Sequence, residues 1–154
     1  MAATVQATTI HATAVLVGAR AVLIRGPSGA GKSRLALDLI AAAAAGRLRF
    51  ARLVGDDRVF LEKIGGRLLV RPAATLAGLI EQRGIGIRHL AYEACAVVGL
   101  VVDLAAKDAE RMPDKGEIDL EGVTLPRLAV AAEVSALPSL LGLLTLPSSG
   151  QNRE

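Results

Sequence analysis

Aromatic residues and cysteines are almost missing from this chain of 154 residues. Phe, Tyr and Trp together make up 2% of it, so the core must be built from Ala, Leu, Val and Ile. Scarce aromatic rings disfavour a nucleic-acid platform, which stacks bases on flat side chains. The one cysteine, Cys95, permits no internal disulfide, and its apolar neighbours predict a buried thiol.

Long apolar runs and blocks of like charge are also lacking. No uncharged run reaches the roughly 18 apolar residues of a membrane helix, and the N-terminus shows no signal-peptide pattern. We therefore expect a cytoplasmic protein with neither membrane nor nucleic acid as a partner. The net charge of +3 suits an acidic partner or a phosphate-bearing ligand, although ordinary solvation of a small domain is the default explanation.

The content of apolar residues, 52%, excludes a disordered chain, and the length predicts one domain. We assign residues 1–146 to that domain and residues 147–154 to a flexible tail. Apolar runs alternate with turn signals, among them a hairpin at Gly65-Gly66. This pattern predicts an α/β fold with a mixed sheet. The expected strands are 8–16, 21–24, 50–54, 59–61, 68–70 and 97–104, the helices are 32–45, 74–82 and 137–144, and 112–121 is a loop.

One segment matches the Walker A pattern, in which two glycines five positions apart are followed by Lys and Ser. Its backbone N–H groups and the following helix N-terminus bind phosphate oxygens. Lys32 would reach the β- and γ-phosphates of a nucleotide, and the hydroxyl of Ser33 would reach Mg²⁺. An apolar strand precedes the segment and a helical pattern follows it, as this P-loop requires. The expected nucleotide-binding residues are Gly26, Pro27, Ser28, Gly29, Ala30, Gly31, Lys32 and Ser33.

Two adjacent carboxylates, Asp56 and Asp57, follow a predicted strand about 25 residues after the P-loop. One could enter the Mg²⁺ sphere, and the other could accept a proton from an attacking hydroxyl. An exposed acidic turn is the alternative interpretation. Because the lone asparagine, Asn152, lies near the end of the chain, no Asn-Lys-x-Asp guanine reader exists, which disfavours a GTP switch.

In order along the chain, these pieces resemble the catalytic domain of the HPr kinase/phosphorylase family. The matching segments are Ile10-His11-Ala12, the P-loop, the run Gly55-Asp56-Asp57-Arg58-Val59, the run Ile80-Glu81-Gln82-Arg83-Gly84-Ile85-Gly86-Ile87, and Pro126-Arg127. The resemblance covers about residues 8 to 135. It implies a P-loop domain related to the nucleotide domain of phosphoenolpyruvate carboxykinases.

The resemblance also implies an activity and roles for single residues. The family phosphorylates a serine of HPr, the phosphocarrier protein of the sugar phosphotransferase system, with ATP, and pyrophosphate takes part in the reverse direction. Lys32 and the P-loop would hold the phosphates, while Ser33 and Glu81 would lie near Mg²⁺. Asp57 would be the general base, assisted by Asp56. His11 and Arg83 would complete the catalytic site.

The chain lacks the family's N-terminal domain before the matching core and the Gly-Arg-Asn segment after it, so we expect a short form. Dephosphorylation of HPr and a homo-oligomer are further properties of the family, and the missing segments leave both open for this chain. Two alternatives stay open. One is a P-loop kinase for a small molecule, and the other is an ATP-sensing regulatory module without catalysis.

Overall fold

The computed structural model describes residues 7–109 and 116–145 and shows a mixed α/β fold, as the sequence predicts. The strands are β1 (Thr8–Ile10), β2 (Thr13–Val17), β3 (Arg20–Arg25), β4 (Ala51–Gly55), β5 (Val59–Ile64), β6 (Arg67–Pro72), β7 (Leu79–Gln82), β8 (Gly86–His89), β9 (Ala96–Asp103), β10 (Glu117–Leu120) and β11 (Val123–Ala129). The helices are α1 (Lys32–Ala44) and α2 (Leu137–Thr145), and a 3₁₀ turn covers Ala74–Leu76.

Nine of the strands form one sheet, in the order β1-β5-β6-β9-β3-β2-β4, with β11 also beside β9 and β10 beside β11. Strand β9 is parallel to β3 and to β11 but antiparallel to β6. The carboxyl ends of β3, β9 and β11 therefore meet, with Arg25, Asp103 and Ala129 in register. In open α/β sheets this is the edge at which ligands bind.

Strand β3 is buried on both faces of the sheet. Val22 and Ile24 pack into a core cluster with helix α1, and Ala21 and Leu23 pack into a second cluster on the other face. A strand covered on both sides has a continuous apolar sequence instead of an alternating one. The P-loop thus follows one of the most deeply buried strands of the molecule, which gives its first residue a rigid support.

Helix α1 covers the first of these clusters and extends from the P-loop. Its buried side chains, Leu35, Leu39 and Ala42, recur at helical spacing, as predicted. Beyond its end, the N–H of Arg47 donates to the carbonyl of Ala42 at 2.8 Å, closing the helix in the pattern expected of a glycine-terminated helix at Gly46. The apolar face of α1 therefore fixes the orientation of its N-terminus at the sheet edge.

The prediction of a helix over residues 74–82 is wrong. A 3₁₀ turn occupies only its first part, and β7 pairs with β8 in a separate two-stranded hairpin. The turn at Arg83-Gly84 closes this hairpin instead of ending a helix, and the N–H of Leu90 donates to the carbonyl of Gly78 at 2.8 Å. Periodicity alone does not distinguish a short apolar helix from a strand. The pairing with β8 determines that residues 79–82 form a strand.

Three smaller expectations also need correction. The strand expected over residues 8–16 is broken at His11 into β1 and β2, which pair with different neighbours. In the loop expected over 112–121, residues 117–120 form β10, while 112–115 lie outside the described residues, as do 147–154. Cys95 is exposed, since it precedes β9, whose burial begins at Ala96. Throughout the described ranges, no helix is long and apolar enough to cross a membrane.

Candidate active site

The P-loop lies where the sequence predicts it, between the end of β3 and the start of α1. Gly29 and Gly31 have φ values of +83° and +96°, a backbone region that other residues rarely adopt. The N–H of Ala30 closes a turn onto the carbonyl of Pro27 at 3.0 Å. No side chain caps the first turn of α1. Because the first N–H groups of a helix have no partner within it, this turn can bind an anion.

Two side chains of the P-loop already point to defined oxygen atoms. The Nζ of Lys32 donates to the carbonyl of Gly26 at 2.8 Å and to that of Pro27 at 3.2 Å, so the ammonium lies against the loop. The hydroxyl of Ser33 donates to Oδ1 of Asp56 at 2.6 Å. This contact joins the P-loop to the acidic pair, which the sequence placed only near it.

Asp56 is buried, with 5% of its surface exposed, and its carboxylate connects three segments. Besides Ser33, the hydroxyl of Thr13 donates to Oδ1 at 2.8 Å, and the N–H of Glu81 donates to Oδ2 at 3.4 Å. Thr13 itself is fully buried. A buried carboxylate is tolerated when it is hydrogen-bonded in this way. Asp56 therefore holds strand β2, helix α1 and strand β7 together around the site.

Asp57 has the opposite environment, since its side chain is exposed. Its φ is +67°, and the N–H of Arg58 donates to the carbonyl of Asp56 at 2.8 Å, which closes a three-residue turn around it. Such γ-turns with positive φ are rare and strained, and non-glycine residues held this way cluster at functional sites. The turn directs one carboxylate of the pair inward and leaves the other free to meet a ligand.

A cleft of about 870 Å³ opens beside the P-loop. The residues predicted for the site that line it are six of the P-loop, Asp57, Glu81 and Arg83. Asp56 lies directly beneath, bonded to Ser33. The sequence missed several other lining residues, of which the buried Thr13 was detectable as a hydroxyl in an apolar strand. The full lining is Thr13, Ser28, Gly29, Ala30, Gly31, Lys32, Ser33, Arg34, Leu37, Asp38, Asp57, Glu81, Gln82 and Arg83.

The structure does not bring His11, one of the predicted catalytic residues, to the cleft. It is exposed at the break between β1 and β2 and is not among the residues that line the cleft. Its neighbour Ile10 pairs with Val59, which places His11 close in register to the turn at Asp57-Arg58. A role for His11 would therefore act on this turn from outside the cleft.

A smaller cavity of about 320 Å³ lies on the other flank of the P-loop. It shares Ser28, Gly29 and Ala30 with the cleft, so the loop separates the two spaces. Its remaining walls are mostly small and apolar and, apart from Pro27 of the P-loop, follow the ends of β9 and β11. They are Pro27, Leu104, Ala105, Val130, Ala131, Ala132, Glu133 and Val134.

A group of charged side chains at the strand ends supports the P-loop from below. Asp103 accepts hydrogen bonds from Arg25 at 2.7 Å and from Arg127 at 2.6 Å, and Arg127 also binds Asp108. Burial tends to raise the pKa of Asp103, but the two guanidinium groups outweigh it and leave that pKa below its usual range. The hydrogen bonds to Asp108 and Asp103 raise the pKa of Arg127. These charges fix the last residue of β3, next to Gly26.

Oxygen atoms in and beneath the cleft are suitable ligands for a magnesium ion of the kind that kinases use. The described residues contain no cluster of three or more His, Cys, Asp or Glu side chains that could hold a metal alone. Mg²⁺ in such sites needs only one or two carboxylates, with phosphate oxygens and waters as further ligands. The Ser33 hydroxyl and the Asp56 carboxylate meet in one hydrogen bond, and Glu81, whose backbone N–H donates to Asp56, lines the same cleft.

Comparison with known proteins agrees with this geometry. The family model for the HPr serine kinase C-terminal domain matches residues 2–131. The chain is 37% identical to HPr kinase/phosphorylase of Streptococcus thermophilus over 136 residues, which cover 80% of this chain and 42% of the relative. The Streptococcus mutans enzyme of the same name is 35% identical over the same shares.

The solved structure of the HPr(Ser) kinase/phosphatase from Coxiella burnetii is similar in three dimensions. It matches with a TM-score of 0.71 and 26% identity, over 89% of this chain and 93% of that one. The chain spans less than half the length of the curated relatives that it matches. The family model alone covers most of the sequence, and the P-loop, the acidic pair and Glu81 lie within it. The chain therefore belongs to the HPr serine kinase C-terminal domain family.

Proposed function

We propose that this chain is an ATP-dependent protein-serine kinase that phosphorylates HPr in the cytoplasm. The observation that carries the proposal is the hydrogen bond between Ser33 and Asp56, beside an exposed Asp57 in the same cleft. It joins a phosphate-binding loop to a carboxylate pair whose two members have different surroundings. The names of the relatives supply HPr as the acceptor.

The two spaces on either side of the P-loop suit a nucleotide donor. The small apolar cavity beside Ala131 and Val134 would accept the base, and the triphosphate would extend along the loop into the larger cleft. Lys32 and the N-terminus of α1 would hold the negative charge of the phosphates. The γ-phosphate would then lie at the side of the cleft where Asp57 is exposed.

The reaction needs the serine of HPr to lose a proton while it attacks. Its Oγ would bond to the γ-phosphorus as the bond from that phosphorus to the bridging oxygen of ADP breaks, with donor and acceptor in line. The carboxylate of Asp57 would accept the hydroxyl proton. Mg²⁺, when bound, neutralises charge on the phosphates. Ser33, Asp56 and Glu81 would hold it, so Asp56 is a binding residue and Asp57 is the base.

The proposal is tested with the purified chain, Mg²⁺, radiolabelled ATP and HPr. A parallel reaction uses HPr in which the acceptor serine is changed to alanine. We expect label on HPr with serine and none on the alanine variant, and release of that label on adding phosphate would show the reverse reaction. ATP binding without any labelled HPr would contradict the proposal and would favour a small-molecule kinase or an ATP sensor.

A further inference from the structure

The hairpin of β7 and β8, residues 79–89, is a separate unit beside the cleft. Its two strands pair with each other and form a sheet of their own. The inner strand is anchored by Ile80, which is 1% exposed, whereas all four residues of β8 are exposed. We call residues 79–89 the cleft hairpin. Its inner strand belongs to the core, and its outer strand and turn face solvent.

The exposed part of the cleft hairpin carries two large apolar side chains. Ile85 in the turn is 69% exposed and Ile87 in β8 is 70% exposed, more than any other large hydrophobic side chain in the described ranges. They are separated by one glycine and form a small apolar surface at the free end of the hairpin. Neighbouring exposed apolar groups of this kind, bordered by polar residues, are typical of interaction sites.

The pairing of the hairpin places this apolar surface next to the proposed chemistry. Ile87 is the cross-strand partner of Glu81, and directly opposed residues share one face with their Cβ atoms about 5 Å apart. Glu81 lines the cleft, and its N–H donates to Asp56. Asp56 is therefore connected to Ile87 through Glu81, which donates a backbone hydrogen bond to Asp56 and pairs with Ile87 across the hairpin.

We propose that the cleft hairpin docks the protein substrate, with Ile85 and Ile87 buried against an apolar patch beside the acceptor serine. This inference rests on the proposed function, because a serine that reaches Asp57 must bring its surrounding protein surface over the hairpin. A small-molecule acceptor would fill the cleft without covering Ile85 and Ile87, which do not line it.

The charged side chains beside Ile85 and Ile87 indicate which surface of the protein substrate they would contact. Arg83 and Arg88 border the isoleucines, and Arg88 donates to Gln82 at 2.8 Å while its side chain remains exposed. No acidic side chain lies between Gln82 and His89 to neutralise them. An apolar patch on HPr with acidic or uncharged neighbours would complement these two arginines. A patch on HPr that is bordered by basic residues would be repelled by them.

The test compares four forms of the full chain. They are the wild type, the double variant Ile85→Ser/Ile87→Ser, the conservative double variant Ile85→Leu/Ile87→Leu, and the control Ile64→Ser. Ile64 is 49% exposed in the β5–β6 hairpin, at the end opposite to Asp57. Steady-state kinetics give KM for HPr and KM for ATP. A calorimetric titration with serine-to-alanine HPr measures docking without turnover.

We expect the serine double variant to raise KM and Kd for HPr about tenfold or more, as loss of a central apolar contact does, with KM for ATP within twofold. The leucine variant and Ile64→Ser should resemble the wild type. Unchanged affinity of the serine variant for HPr would overturn the docking inference alone. A wild type that neither binds nor labels HPr would overturn the proposed function, and the inference with it. A wild-type dimer that becomes monomeric in the serine variant would assign the surface to a second copy instead.

Discussion

The two sides of the cleft are built in different ways. The phosphate side is one continuous stretch, β3, the P-loop and α1, with its conformation set by glycines at positive φ. The acceptor side is assembled from distant segments, because Asp56 accepts hydrogen bonds from Thr13 on β2 and from the N–H of Glu81 on β7. The hydroxyl of Ser33 joins this side to the phosphate side. In the proposed function a local motif would thus bind phosphate, while the position of the proposed base depends on long-range packing. Substitutions on the two sides should therefore fail in different ways.

The largest effect is expected on the acceptor side, from Asp57→Asn. Loss of the proton acceptor should lower the rate of phosphoryl transfer to HPr by about 100- to 10000-fold. ATP affinity should stay within a few-fold, because the proposed role of Asp57 is toward the acceptor and not toward the nucleotide. Transfer rates and nucleotide titrations of the same preparation measure both. A matched control is Glu121→Gln, an exposed acidic residue at positive φ in the turn between β10 and β11. Weaker ATP binding as the main defect would contradict the assignment of Asp57.

On the phosphate side, Lys32→Ala should affect binding and transfer together. Loss of one charge-assisted contact to the phosphates should weaken ATP affinity about 10- to 100-fold. Titration with a fluorescent ATP analogue, beside the transfer assay, follows both quantities. Lys63→Ala, at an exposed lysine on β5, serves as the control. Full transfer activity of the Lys32 variant would remove the P-loop from the mechanism.

The buried hydrogen bond between Thr13 and Asp56 is tested by Thr13→Val. The substitution keeps the shape but removes a donor to the buried Asp56, which should lower the free energy of unfolding by about 1–3 kcal/mol. Thr13→Ser, which retains the hydroxyl, should lose much less. Urea unfolding followed by circular dichroism compares the three proteins. Equal stability of the valine and serine variants would mean that the 2.8 Å hydrogen bond from Thr13 to Asp56 does not stabilise the fold.

The smallest effect is expected below the P-loop, from Asp103→Asn. Since folding lowers the pKa of Asp103, its ionised form stabilises the protein above its unfolded pKa of about 3.9, and this contribution is lost as the pH falls through the lower folded value. The variant should therefore be less stable at pH 7 and approach the wild type below about pH 4. Urea unfolding at several pH values measures this, with Glu117→Gln as an exposed control. If the difference in the free energy of unfolding between the variant and the wild type stayed constant down to pH 3, Asp103 would be excluded as the group whose ionisation stabilises the fold.

Prediction from the sequence succeeded where local patterns were sufficient. The helix after the P-loop, the hairpin at Gly65-Gly66 and the buried strand near Val101 were all expected. The segment over 74–82 was not, because the four residues of β7, of which Glu81 and Gln82 are polar, form a strand only when a partner strand pairs with them. The group of Asp103, Arg25 and Arg127 was also missed, since its members are distant in the sequence and meet only at the ends of parallel strands.

The sequence by itself determined the phosphate-binding loop and the family, because both are written in short runs of residues with fixed spacing. Only the tertiary structure decided which carboxylate is buried and which is free. Asp56 and Asp57 are adjacent in the chain, yet packing of β2, α1 and β7 surrounds the first with donors, and a turn at positive φ exposes the second. The environment of a side chain depends on distant segments that pack around it, and no local pattern contains that information.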